Sequence, residues 1–153
     1  LKNNQSIQLK ISELQCSPEI FEIYQSHSKV RFGKTAVFVE FFYNFYQIAS
    51  PGIQAEYYVE GKLAGVGFLD YSEEALNTVY FVYKDEYAYL GLGNYSILKE
   101  IELTRNLGLK YYYLGYYVPG NKTMEYKNRF FPNEKMNWET GEWIREEKNN
   151  ANL

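Results

Sequence analysis

Ile7, Leu9 and Ile11 alternate with polar residues, the period-two signature of a strand with one face buried. The period then changes. Ser17-Pro18-Glu19 supplies an N-cap, a first helical residue and an acidic first turn, and Ile20, Phe21 and Tyr24 follow on one face of a helix ending near Gly33. Phe38, Phe41, Phe42, Phe45 and Ile48 recur at helical spacing and predict a second helix from about Ala36, stopped by Ser50-Pro51-Gly52. Strand-like runs come next: Gln54–Val59 and Leu63–Asp70, joined by Glu60-Gly61-Lys62 as a hairpin connection, then Thr78–Tyr83 after an acidic turn. Gly93–Asn106 reads as a helix, with Ile97, Leu98 and Ile101 on one face and Gly108 as its terminator. Leu109–Val118 is apolar on both faces, as a central strand is. Met124–Phe130 reads as a short helix, strands can follow around Trp138–Ile144, and residues 146–153 read as a disordered tail.

This order, β-α-α-β-β-β-α-β-α plus a C-terminal extension, predicts an α+β fold: one mixed β-sheet flanked by helices, a single domain over residues 1–145. A hairpin-rich half leads into one β-α-β crossover, and that arrangement resembles the GNAT acyltransferase fold. There the acyl donor lies where two central parallel strands splay apart, here Thr78–Tyr83 and Tyr111–Tyr117.

Composition sharpens this only in places. No apolar run approaches the roughly 20 residues of a membrane helix, so a soluble domain with no membrane partner is expected. The start, Leu1-Lys2-Asn3-Asn4, has neither a signal core nor an initiator Met and reads as a piece of a longer chain. Cys16 is the only cysteine, which excludes an internal disulfide and a cysteine-cluster metal site and favours the cytoplasm. A net charge of −3 argues against a surface coated in positive charge for nucleic acid, though not against a local basic patch. Tyrosine is abundant, 17 residues, and such rings either pack strands or line a groove where bases stack.

Leu90-Gly91-Leu92-Gly93-Asn94 stands between a strand and a helix, where glycines let backbone approach an anion and the helix N-terminus offers free N–H groups. The same pattern also serves as a plain tight turn. In CoA-dependent GNAT enzymes an Arg or Gln precedes the first glycine of Gly-x-Gly by three residues. Here that position is Ala88, which points to another acyl donor.

Four segments occur in a telling order: Val79-Tyr80-Phe81-Val82-Tyr83-Lys84-Asp85, Leu90–Leu98, Tyr111-Tyr112-Tyr113-Leu114-Gly115-Tyr116-Tyr117-Val118 and Met124-Glu125-Tyr126-Lys127-Asn128-Arg129-Phe130. Together with the hairpin closing on Asp70 they resemble the C-terminal half of arginyl-tRNA–protein transferases and their bacterial leucyl relatives, over about Leu1 to Ile144. The Glu139-Thr140 and Trp143 ending is similar to that of the eukaryotic-type members. The resemblance implies transfer of Arg or Leu from charged tRNA to the N-terminal α-amine of proteins beginning with Asp or Glu, which marks them for degradation by the N-degron route. The family's Cys-rich N-terminal half has no counterpart here, which reads either as a cut from a longer enzyme or as a shortened relative, and no metal and no cofactor beyond the aminoacyl-tRNA co-substrate is expected in this chain. Three positions depart from the family pattern: Phe32 where His commonly follows Arg31, Thr123 where Lys commonly precedes the Met, and Phe131 where Arg commonly precedes the Pro.

The implied reaction is aminolysis of an ester. Splayed strands supply backbone N–H groups for the tetrahedral oxyanion. Asp70, at a strand end, is the candidate for holding or deprotonating the amine, against an ordinary turn carboxylate; Tyr83 and Tyr113 are candidates for orienting the acyl group or protonating the leaving ribose oxygen, against strand packing. Gly91, Gly93, Asn94, Tyr95, Tyr116, Lys122, Tyr126, Lys127 and Arg129 form the candidate substrate and tRNA surface, the basic residues otherwise lining a solvated face. His27, the only histidine, reads as a helix-surface residue. Two alternatives stand beside this reading: an acetyl-CoA-dependent N-acetyltransferase, and a non-catalytic module that binds acidic N-termini or tRNA. Oligomeric state and the identity of the donated amino acid have no sequence signal.

Overall fold

The computed structural model describes residues 7–47 and 49–147. The strand β1 (Ile7–Glu13) leads through Ser17, whose Oγ accepts from the Ile20 N–H at 3.2 Å, into α1 (Pro18–Phe32). Gly33 closes α1 with a left-handed φ of 66°, as the sequence predicts. The helix α2 (Phe38–Phe45) is shorter than its apolar period suggests, and Ile48 lies outside the described residues.

β2 (Gly52–Val59) and β3 (Lys62–Tyr71) form a hairpin whose connection tightens to two residues, Glu60 and Gly61. Both have positive φ, 50° and 76°, the pair a type I′ turn requires to match strand twist. β4 (Ala75–Tyr83) starts earlier than expected, because Ala75 and Leu76 are buried strand residues rather than part of the acidic turn. A 3-10 helix (Asp85–Leu90) then precedes α3 (Leu92–Asn106), and β5 (Tyr111–Tyr113) returns parallel to β4.

The five strands run β1-β2-β3-β4-β5, antiparallel except for the last pair. On one face α1 and α2 bring Ile20, Ile23, Phe41 and Phe45 against Leu63, Val66, Phe68 and Val82. On the other, Leu92 and Tyr95 of α3 pack on Ala55, Tyr57, Leu69 and Leu76. Each such side chain contributes about 1.5–3 kcal/mol of apolar burial, and the paired residues alternate faces along each strand, which fixes the register.

Two expectations about the crossover strand need correction. β5 ends at Tyr113 instead of reaching Val118, because Gly115 takes a left-handed φ of 77° that no strand residue adopts. It also lies at the sheet edge, with Tyr111 and Tyr113 each more than a third exposed. A tyrosine run looks as apolar as an aliphatic one, yet its rings tolerate half-exposure.

Residues cluster into two compact units, Leu1–Leu114, which holds this sheet, and Gly115–Leu153. The second unit contains a 3-10 helix (Glu125–Arg129) where an α-helix was expected, and a hairpin of β6 (Asn133–Met136) and β7 (Trp143–Glu146). Glu146, the first residue of the expected tail, belongs to β7; the tail from residue 148 lies outside the described residues.

Candidate active site

The parallel pairing of β4 and β5 is brief: Ala75↔Tyr111, Leu76↔Tyr112, Asn77↔Tyr113. Beyond Asn77, β4 keeps β3 on one flank and has lost β5 on the other, so the two parallel strands part at Asn77 and Tyr113. A register shift opens the same place from the β3 side, where Leu69 pairs Thr78 and Phe68 pairs Tyr80, leaving Val79 as an extra residue. Such a wedge leaves strand N–H groups untaken by a ladder and able to receive an oxyanion.

Asp70 pairs with Asn77, and Asn77 with Tyr113, so the three form one row across β3, β4 and β5 at the vertex of the wedge. At the usual strand spacing the outer two backbones are about 10 Å apart. Their neighbours Leu69, Leu76 and Tyr112 face the α3 side, so the row faces the α1–α2 side. Asp70 is half-buried and accepts a long bond from Ser50 Oγ at 3.5 Å; Tyr113 stacks on Tyr111 with centroids 6.2 Å apart.

Tyr83 is elsewhere. It ends β4 six residues beyond Asn77, roughly 20 Å away at 3.3 Å per residue. Its hydroxyl accepts from Arg31 of α1, whose guanidinium also lies 5.2 Å from the ring centroid. The structure therefore joins Asp70 to Tyr113 but not to Tyr83.

At the start of α3, Gly91 is the N-cap with a left-handed φ of 63°, and its carbonyl accepts from the Asn94 and Tyr95 N–H groups. Gly93 lies inside the first turn, where an added Cβ would meet nothing within 4 Å. Asn94 is exposed, whereas Tyr95 is 9% exposed and packs its ring 6.2 Å from Tyr57. Gly91→Ala is expected to lose about 1–2 kcal/mol from left-handed strain. Gly93→Ala is expected to leave stability unchanged or raise it by up to about 1 kcal/mol, since alanine favours a helix interior. Urea unfolding of both variants checks the pair, and equal losses would contradict it.

The remaining candidates belong to the second unit. Tyr116 is 72% exposed and leans on Trp138 at 5.8 Å. Lys127 donates to the Tyr116 carbonyl at 2.8 Å, and burial lowers its ammonium pKa. It ties a loop together rather than presenting a free charge. Lys122 and Arg129 are exposed, and Tyr126 is half-buried.

Two residues carry more than the sequence suggested. His27 is half-buried rather than fully exposed: its Nδ1 lies 3.3 Å from the Tyr83 carbonyl and its ring packs on Tyr80 and Tyr83. Burial, then the Arg31 charge, pushes the imidazole down from 6.5 to about 4, with Asp85 opposing. Glu100 of α3 is 1% exposed, and burial raises its carboxyl from 4.5 to about 7 against the pull of the Tyr112, Thr78 and Tyr57 hydroxyls. Its only sequence signal is phase: Leu92, Ser96, Glu100 and Thr104 form one buried stripe at spacing four, while Leu98, expected on the apolar face, is exposed.

These shifts oppose each other. Glu100 holds its proton longer folded than unfolded, so its contribution is complete below 4.5 and lost as pH rises through 7. His27 resists protonation when folded, so its contribution is complete above 6.5 and lost as pH falls through 4. Unfolding free energy should therefore be nearly flat between about pH 5 and 6.5. Glu100→Gln should make it rise with pH there, and His27→Leu should make it fall. Denaturant titrations across that range test both signs, and parallel profiles for the two variants would refute the assignment.

A five-stranded sheet with one parallel crossover, parted at its end and faced by a glycine-opened helix, defines the GNAT acyltransferase fold. Solved structures agree: the ribosomal-protein-S18-alanine N-acetyltransferase from Escherichia coli superposes with a TM-score of 0.61 at 13% identity, covering 84% of this chain and 80% of that one. A possible acetyltransferase from Clostridium difficile 630 gives 0.61 at 16% identity, covering 84% and 95%. Sequence narrows this to one family. Residues 19–137 match the model described as arginine-tRNA-protein transferase, C terminus, and the chain belongs to that family. Arginyl-tRNA–protein transferase 1 of Dictyostelium discoideum is 37% identical over 80% of this chain and 20% of its own length. The aspartate/glutamate leucyltransferase of Campylobacter jejuni strain 81-176 is 34% identical over 64% of this chain and 38% of its own. The chain thus spans between about a fifth and two fifths of these relatives.

Proposed function

We propose that this chain carries the acyl-transfer site of an aminoacyl-tRNA–protein transferase, moving Arg or Leu from charged tRNA to the N-terminal α-amine of proteins beginning with Asp or Glu. The observation that supports it most is the Asp70–Asn77–Tyr113 row at the wedge vertex. The amine nitrogen attacks the ester carbonyl, a C–N bond forms, the C–O bond to the ribose breaks, and the ribose oxygen leaves with a proton. Asp70 accepts the proton the ammonium must shed, backbone N–H groups of the wedge hold the oxyanion, and Tyr113 orients the acyl group. An α-amine with a pKa of roughly 7.7–8 needs only modest help of this kind. The acyl group arrives already activated as an ester, so the reaction calls for no resident cofactor.

Ala88 in place of the CoA-type Arg or Gln favours a tRNA-borne donor over acetyl-CoA. Lys122 and Arg129, both exposed, are the cations this reading gives to tRNA phosphates. Charged tRNA and an N-degron product place the reaction in the cytoplasm; among the described residues no helix is long and apolar enough to cross a membrane. The test supplies Arg-tRNA or Leu-tRNA with peptides starting in Glu, Asp or Ala, to this chain and to any longer protein containing it. Transfer to the Glu and Asp peptides alone is expected. Transfer by neither protein, or tight acetyl-CoA binding with acetyl transfer instead, overturns the proposal.

A further inference from the structure

The wedge has a second carboxyl beneath it. Asp70 lies on the α1–α2 face of the vertex, and Glu100 lies on the α3 face. Tyr112 Oη donates to Glu100 Oε2 at 2.6 Å, and Tyr112 is the residue before Tyr113 on β5. Thr78, whose hydroxyl also faces the Glu100 carboxyl, is the residue after Asn77 on β4. One side chain therefore bonds β5 and has its carboxyl influenced by β4, beside the residues at which the two strands part. The opposite carboxyl oxygen, Oε1, is accommodated by Gly67: a Cβ there would stand 3.2 Å from it. Among the described residues, neither Glu100 Oε1 nor the hydroxyl of Tyr57, 0% exposed, makes a well-formed hydrogen bond, although the two groups influence each other's ionisation.

This arrangement is a poor choice for stability alone. A buried carboxyl with an unsatisfied oxygen is less favourable there than a packed apolar group. A leucine at the same point of the stripe would fill the space without that cost. What leucine lacks is the means to hold Tyr112 by a directed bond.

We propose that Glu100 is a positioning residue for acyl transfer, holding Tyr112 of β5 beside β4 so that the wedge vertex keeps Tyr113 and the β4 N–H groups aimed at the reacting carbonyl. The proposal rests on the acyl-transfer reading above. It does not place Glu100 in contact with substrate. A misplacement near 1 Å at a reacting centre is worth about 100-fold in rate, which sets the expected effect.

The experiment compares Glu100→Leu, Glu100→Gln and Tyr112→Phe in this chain, with kcat and KM for charged tRNA, melting temperature, and backbone amide NMR signals of Thr78 and Tyr113. Glu100→Leu is expected to lose about 100-fold in kcat with KM within about 2-fold and melting unchanged or raised. Glu100→Gln keeps an oxygen acceptor for Tyr112 and is expected within about 5-fold of the parent kcat. Tyr112→Phe, which removes one hydroxyl only, should follow Glu100→Leu and serves should that variant not fold. Full kcat in Glu100→Leu, or kcat and melting falling together in all three, overturns the proposal. If neither this chain nor a longer protein containing it transfers an amino acid, the function proposed above fails instead. The positioning claim is then read from the amide signals, moved by Leu and Phe but not by Gln if it holds, and unmoved by any if it does not.

Discussion

Asp70→Asn should lower kcat for amino-acid transfer by about 10²–10⁴-fold, the range of a removed general base, with KM for charged tRNA within about 2-fold. Asparagine matches aspartate in size and can still accept from Ser50 Oγ, so the fold has no reason to move. What disappears, on the proposed mechanism, is the acceptor for the amine proton at the vertex of the wedge. The matching control is Tyr83→Phe. Its hydroxyl is bound to Arg31 at the far end of β4, so kcat is expected to stay within about 3-fold. Steady-state kinetics on the two variants decides the matter: equal losses, or a larger loss at Tyr83, would move the site away from the Asp70–Asn77–Tyr113 row.

The largest effect on stability should come from the α1–α2 side of the sheet. Phe41 is 0% exposed, with ring centroids 4.8 Å from Tyr24, 5.3 Å from Phe21, 5.5 Å from Phe45 and 6.0 Å from Phe68. Phe41→Ala removes the ring on which α1, α2 and β3 meet and leaves a cavity, at an expected 3–5 kcal/mol. For a chain of this length that is about 10 °C in melting temperature. Phe38, one turn earlier on α2, is 48% exposed, and Phe38→Ala should lose about 1 kcal/mol or less. Calorimetry of the pair would contradict this account if both variants melted alike. The result bears on function as well, since α1 and α2 cover the face toward which Asp70 and Tyr113 point.

Both predictions depend on neighbours in space, and the sequence showed those unevenly. Ser17-Pro18 and Gly33 marked α1 because caps act within one helical turn. Glu60-Gly61-Lys62 marked the hairpin, one residue longer than the turn that forms, because a short turn is decided by the φ its own residues accept. Gly91 was legible as a turn glycine for the same reason, while Gly93 turned out to need no special backbone. Asp70 drew notice as a carboxylate at a strand end, and Tyr113 as a ring in the tyrosine run. Nothing local said that Asn77 stands between them.

The sequence by itself determined the order of elements, the caps and turns of α1 and the hairpin, the apolar faces of α1 and α2, and, through four ordered segments, the family. Those signals act over a few residues or are repeated in relatives. Tertiary structure alone decided the rest. Parallel pairing of β4 with β5 for only three residues made the wedge, and that register placed Asp70, Asn77 and Tyr113 in one row. The same packing drew Tyr83 away to Arg31 and His27, and sank Glu100 under the vertex against Gly67. Strand register and burial are set by the summed contacts of distant segments, and no single residue carries a local mark of either.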